Sequence, residues 1–128
     1  MRLLLDTNVL LAALIDPEGL KSDVRGTLEN PDNEVLFSAA SLWEIAIKAA
    51  LGRADFQVSP EDILAAALAS GFTELPVRSA TALKVASLPH HHRDPFDRLL
   101  VVQAMSEPAL LYTTDALLTA YSELVVLV

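Results

Sequence analysis

Five acidic residues of this sequence could do chemistry together: Asp6, Glu44, Asp94, Asp97 and Asp115. Asp6 follows the apolar run Leu3-Leu4-Leu5 directly. Glu44 lies in a helical pattern that comes after Val35-Leu36-Phe37. Asp94 and Asp97 open the segment beyond Pro89-His90-His91-His92-Arg93, and Asp115 follows Leu110-Leu111-Tyr112 after Thr113 and Thr114. Carboxylate oxygens are hard ligands of the kind Mg²⁺ and Mn²⁺ prefer. Gathered at one place, they would hold one or two such ions near phosphate oxygens. Ions so placed lower the pKa of a bound water and stabilise charge on a scissile phosphate. No serine, histidine or cysteine nucleophile is required, and the chain has no cysteine at all.

Each acid also has a purely structural reading. Asp6 before Thr7-Asn8 suits a helix N-cap. Ser41-x-x-Glu44 matches a capping box, and Glu44 with Lys48 matches an i, i+4 ion pair. Asp94 before Pro95 is a good cap, and Asp97 favours a helix N-terminus electrostatically. Asp115 suits the start of a short helix. What these readings leave unexplained is the matching position of the acids, each at or after the end of an apolar run.

The elements that must position them follow from pattern and punctuation. Arg2 to Leu5, Val35 to Phe37, Phe72 to Leu75, Leu110 to Tyr112 and Leu124 to Val128 read as short buried strands. Thr7 to Ile15, Lys21 to Glu29, Ser38 to Leu51, Ser59 to Ala69, Ser79 to Ser87, Asp94 to Met105 and Asp115 to Tyr121 read as helices. The clearest is Ser38 to Leu51, where Ala39, Leu42, Trp43, Ala46, Ile47 and Ala50 recur at i, i+3, i+4. Gly52 stops it, and Asp16-Pro17-Glu18-Gly19 and Asn30-Pro31-Asp32-Asn33 are turn clusters. Strands alternating with helices, each strand a continuous apolar run, predict an α/β domain. Its sheet is mostly parallel and covered on both faces. The working site of such a sheet lies beyond the carboxyl ends of the strands.

Composition sets bounds. A chain of 128 residues fits one domain, here residues 1–128. Its 52% hydrophobic content is high for that size, so part of the apolar surface is expected at an interface. No apolar run reaches membrane-spanning length, and Asp6 and Asn8 interrupt the only stretch like a leader. The cytoplasm is the expected compartment. The net charge of −8 disfavours a plain nucleic-acid-binding module. It counts less against a nuclease, whose bound cations would cancel carboxylates at the site.

With these residues in place, the sequence strongly resembles the PIN-domain ribonucleases, and within them the VapC-type toxins of toxin–antitoxin pairs. The resemblance rests on Leu3-Leu4-Leu5-Asp6-Thr7-Asn8, on Ser41-Leu42-Trp43-Glu44-Ile45-Ala46-Ile47-Lys48, on His92-Arg93-Asp94-Pro95-Phe96-Asp97-Arg98-Leu99-Leu100 and on Tyr112-Thr113-Thr114-Asp115. It covers essentially the whole chain. The resemblance implies a three-layer α/β/α fold and an Mg²⁺- or Mn²⁺-dependent endoribonuclease. Asp6, Glu44, Asp97 and Asp115 would form its catalytic, metal-holding set. Asn8 and Thr113 would be supporting polar residues, and Asp94 a cap or outer residue. It also implies an RNA substrate, a VapB-type antitoxin and a homodimer. His92 or Arg93 would touch RNA phosphate from the loop. Arg98 and Lys48 are candidates for the same contact, for holding the acids, or for ordinary surface and ion-pair roles. Zinc at the three histidines is not expected, because the spacing of structural zinc motifs is missing. Two rival functions are a haloacid-dehalogenase-like phosphatase with Asp6 as nucleophile and a non-catalytic partner-binding domain. The phosphatase would want an aspartate where Asn8 stands.

Overall fold

The computed structural model describes residues 1–128. Five strands form one sheet: β1 (Arg2–Leu5), β2 (Glu34–Ser38), β3 (Thr73–Leu75), β4 (Leu110–Thr113) and β5 (Val125–Leu127). Their order is β3-β2-β1-β4-β5, and every neighbouring pair is parallel. The expected "mostly parallel" sheet is therefore wholly parallel. Six α-helices cover it: α1 (Thr7–Ile15), α2 (Ser22–Glu29), α3 (Ala39–Ala50), α4 (Pro60–Ala69), α5 (Ser79–Leu83) and α6 (Pro95–Ser106). The segments Lys84–Ser87 and Ala116–Ala120, read from sequence as helix, are 3₁₀ turns. No helix is long and apolar enough to cross a membrane.

Strand alternation divides the core in two. On β1, Leu3 and Leu5 point to one face, where they meet Val9 and Leu10 of α1, Ile45 of α3 and Ile63 and Ala67 of α4. Leu4 points to the other face, against Leu100, Val101 and Ala104 of α6. All three leucines are fully buried. A strand buried on both faces reads as a continuous apolar run because both alternating sets must be hydrophobic. Helix starts are fixed locally. Ser38 caps α3 through the Ala40 N–H, Ser59 caps α4 with Pro60 at the first position, and Asp94 caps α6 with Pro95 in the same place.

The apolar residues whose spacing marks α3 as a helix are not the ones it buries most. Ala40, Ser41, Glu44 and Ile45 face inward, whereas Trp43 and Ile47 are 63% and 40% exposed. The inward polar groups are tolerated because they find partners, as described below. The capping-box reading also fails, since the cap is Ser38 and Ser41 lies inside the helix.

Candidate active site

The sheet order decides where a site can form. The central strand β1 has β2 on one side and β4 on the other. The chain leaves β1 through α1 on one face and arrives at β4 from α6 on the opposite face. The carboxyl ends of β1 and β4 thus flank a crevice at the point where the winding reverses. Asp6 is the residue after β1, and Asp115 stands two residues beyond β4. The N-terminus of α6 brings Asp97, and α3 brings Glu44.

Three of these carboxylates are held at both oxygens. Asp6, only 4% exposed, accepts the Val9 N–H at 2.8 Å and the Thr113 hydroxyl at 2.5 Å. Thr113 in turn accepts the Asp115 N–H at 3.0 Å, which joins the ends of β1 and β4. Glu44 accepts the Thr7 hydroxyl at 2.7 Å and pairs with Lys48 Nζ at 3.0 Å. Asp115 accepts the Leu117 N–H at 3.0 Å on Oδ1 and meets His92 Nε2 at 2.6 Å on Oδ2. Asp6, Asp94 and Asp115 are also helix caps, so the structural readings of those residues hold as geometry.

Asp97 differs. No hydrogen bond reaches its carboxylate, and its nearest basic group is the His92 ring, with Nε2 at 3.6 Å. Burial, reinforced by the negative charges of Asp94, Asp6 and Glu44 and only partly opposed by His92, pushes its pKa up to about 7. Asp6 is raised as well, by burial first and by Glu44 to a lesser degree, against its hydrogen bonds. Asp115 moves the other way. Burial alone would raise it, but the His92 bond and the Leu117 N–H together hold it below the usual carboxylate range. Ligand atoms of His92, Asp97 and Asp115 lie within 4.8 Å of one another. Asp6 and Glu44 stand outside that triad and act on Asp97 through charge.

These features meet at the crevice of a doubly wound sheet, and comparison with known proteins agrees with that architecture. The PIN domain family model matches residues 3–124. The chain belongs to the PIN domain family. Among solved structures, VapBC2 from Rickettsia felis, crystallised bound to a DNA fragment from its promoter, is similar at 17% identity with a TM-score of 0.72. That match covers 100% of this chain and 98% of the other. FitAcB from Neisseria gonorrhoeae is similar at 19% identity and TM-score 0.52, over 91% and 89% of the two chains. No curated protein matches the sequence.

The remaining residues singled out by sequence fall unevenly in this PIN domain. Thr113 donates its hydroxyl to Asp6. Asn8 is exposed on the first turn of α1. Asp94 caps α6 through the Phe96 N–H. Lys48 is engaged with Glu44, and Arg93 lines a shallow cavity with Glu44, Ile47, Lys48, Asp94, Pro95 and Phe96. Arg98 is turned inward: it is 7% exposed and donates to the carbonyls of Val85, Leu88, Pro89 and His92 and to the Tyr121 hydroxyl. These bonds occupy the Arg98 guanidinium and tie down the loop. Sequence reasoning missed Thr7, Ser41 and Tyr121. Thr7 had a signal, as a hydroxyl next to Asp6. Tyr121 had none, because its partners His91 and His92 lie about thirty residues away.

Proposed function

We propose that this PIN domain is a divalent-metal-dependent endoribonuclease and the toxin of a toxin–antitoxin pair. The observation that carries the reading is the state of Asp97: a half-buried carboxylate without a hydrogen bond, beside other acids, in the crevice between β1 and β4. Such a group is costly to ionise alone and is stabilised when a cation is shared with its neighbours. The donor set consists of carboxylate oxygens, which fits Mg²⁺ or Mn²⁺. Asp97, Asp6 and Asp115 would hold the ion directly or through water, and Glu44 would complete the acidic ring. A bound ion would supply an activated water and charge neutralisation at the scissile phosphate.

The protein's own part is orientation. Thr113, Val9 and Leu117 fix the planes of Asp6 and Asp115, and Thr7 with Lys48 fixes Glu44, so little reorganisation is needed on binding. Arg93, which lines a cavity together with Glu44, would meet an RNA phosphate. The partner is an antitoxin, a reading supported by the VapBC2 relative. A homodimer, RNA as substrate and a cytoplasmic setting belong to the same proposal. Asn8 stands where a phosphatase of the haloacid-dehalogenase type would want an aspartate, so nothing favours that rival.

The test is RNA cleavage in Mg²⁺ and Mn²⁺ by wild type, Asp97→Asn and Asp94→Asn. Asp97→Asn should lose at least about 100-fold of the cleavage rate, the scale of removing a group that acts on the transition state. Asp94→Asn should retain most of it, because asparagine also caps a helix. Cleavage by Asp97→Asn within a few-fold of wild type would overturn the reading.

A further inference from the structure

The His92 ring makes two hydrogen bonds that leave it one tautomer. Its Nδ1 lies 3.0 Å from the Asp94 main-chain N, which can only donate, so Nδ1 must accept. The ring proton then sits on Nε2, which faces Asp115 Oδ2 at 2.6 Å. A proton on Nδ1 would set two N–H groups against each other. The ring is also held in place from behind. Tyr121 Oη accepts the main-chain N–H groups of His91 and His92 at 3.1 and 2.9 Å, and Arg98 Nη1 at 3.0 Å. Arg98 pins the same loop through four carbonyls, and the His91 ring packs edge-on to Tyr121.

This arrangement separates two roles for a histidine lying between two acids. A ring nitrogen that ligates a metal must present a lone pair, and its other nitrogen then carries the proton and needs an acceptor. Here Nδ1 faces a donor, so ligation through Nε2 would break the Asp94 bond and leave two N–H groups opposed. The geometry points to His92 as a positioning residue, a fixed Nε2–H donor that orients the Asp115 carboxylate toward Asp97 and is not itself a metal ligand. Tyr121 and Arg98 are the clamp that keeps it there. The part concerning metal rests on the proposed function; the tautomer and the clamp do not.

Two measurements test this. The first is ¹⁵N-resolved NMR of the His92 ring in metal-free protein and after adding diamagnetic Mg²⁺. An Nε2–H signal pattern in both states is expected. An Nδ1–H pattern in the metal-free protein, or loss of the Nε2 proton on adding Mg²⁺, would overturn the proposal. The second is Mn²⁺ affinity by calorimetry for wild type, His92→Phe, His92→Gln and Tyr121→Phe, with melting curves to confirm folding. Partners that orient a ligand are worth about 10- to 100-fold in metal affinity. His92→Phe should therefore bind at least about 10-fold more weakly. His92→Gln, whose amide restores a donor at the Nε2 position, should recover most of the loss, and folded Tyr121→Phe should fall between. Wild-type affinity in His92→Phe would overturn the proposal, as would an equal loss in His92→Gln. A wild type that binds no Mn²⁺ would sink the metal-dependent function and the metal clause with it, and the proposal would then stand or fall on the ring signal alone.

Discussion

At the residue scale, the four acids differ in how much of their charge the protein already supports. Asp6, Glu44 and Asp115 each have partners at both oxygens, and Asp97 has no hydrogen bond. Asp97 therefore carries the clearest pH signature. Its folded pKa is about 7, whereas an unfolded aspartate titrates near about 3.9. Between those values the folded chain binds the extra proton, so metal-free stability should fall as pH rises through this window, with the full loss present above about pH 7. Asp6, also raised, adds in the same direction. Asp115, lowered, acts oppositely: its contribution is present above the unfolded value and fades as pH falls toward the folded one. Asp97→Asn removes the carboxyl that burial and its acidic neighbours push up to about 7. It should stabilise the metal-free protein at pH 7.5 by on the order of 1–3 kcal/mol and flatten the decline between about pH 4 and 7. Denaturant melts of both proteins across that range in chelator decide the matter, and parallel curves would refute it.

At the element scale, α3 shows both how far the sequence is readable and where it stops. Its start, its end and its place after β2 follow from Ser38, Gly52 and the run Val35-Leu36-Phe37. Strands β1, β2 and β4 were legible because residues buried on both faces leave an apolar run, whereas the edge strand β3, with Thr73 and Glu74 exposed, carries no such signature. The orientation of α3 was not legible. Thr7 pairs with Glu44 and lies 3.0 Å from Ser41, making the polar face the better one to bury. A satisfied polar group costs little inside, and which groups are satisfied depends on the position of another helix. Asp6, Asp97 and Asp115 stood out because each sits beside a strand or helix end, whereas Glu44, midway along α3, stood out only as an acid in the helix that follows β2. The His92 and Tyr121 contacts were not, because they cross between the loop before α6 and the turn after β4. The outward stripe of α3 gives the element-level prediction. Trp43 also meets Phe96 edge-on at 5.1 Å, so the stripe runs toward the start of α6. If the proposed homodimer uses this face, Trp43→Lys with Ile47→Lys should reduce self-association in sedimentation. The melting temperature should stay within about 3 °C of wild type, as expected of exposed positions. Unchanged association would place the dimer contact on another face.

At the scale of the whole molecule, charge and ion binding oppose each other. The chain carries a net −8, and its crevice concentrates acids whose mutual repulsion the fold tolerates. Such a molecule would repel the proposed RNA substrate until cations offset the local charge, so ion occupancy would govern both substrate approach and stability. The stability half can be measured without any substrate. An ion that binds only the folded chain stabilises it by about 2.7 kcal/mol at 100 times its Kd. For a domain of this size each kcal/mol is worth roughly 3–5 °C, so saturating Mn²⁺ should raise the wild-type melting temperature by on the order of 10 °C at pH 7.5. Asp97→Asn should begin higher in chelator, because the repulsion is gone, and gain much less from Mn²⁺, because a charged ligand is gone. The two proteins should therefore cross in order as Mn²⁺ is added, with the mutant more stable in chelator and the wild type more stable in excess ion. Repulsion and ligation are both needed for that crossing: a role for Asp97 limited to favouring the α6 N-terminus electrostatically predicts a mutant no more stable than wild type in chelator, and a merely crowded acidic cluster without an ion site predicts the first difference and not the second.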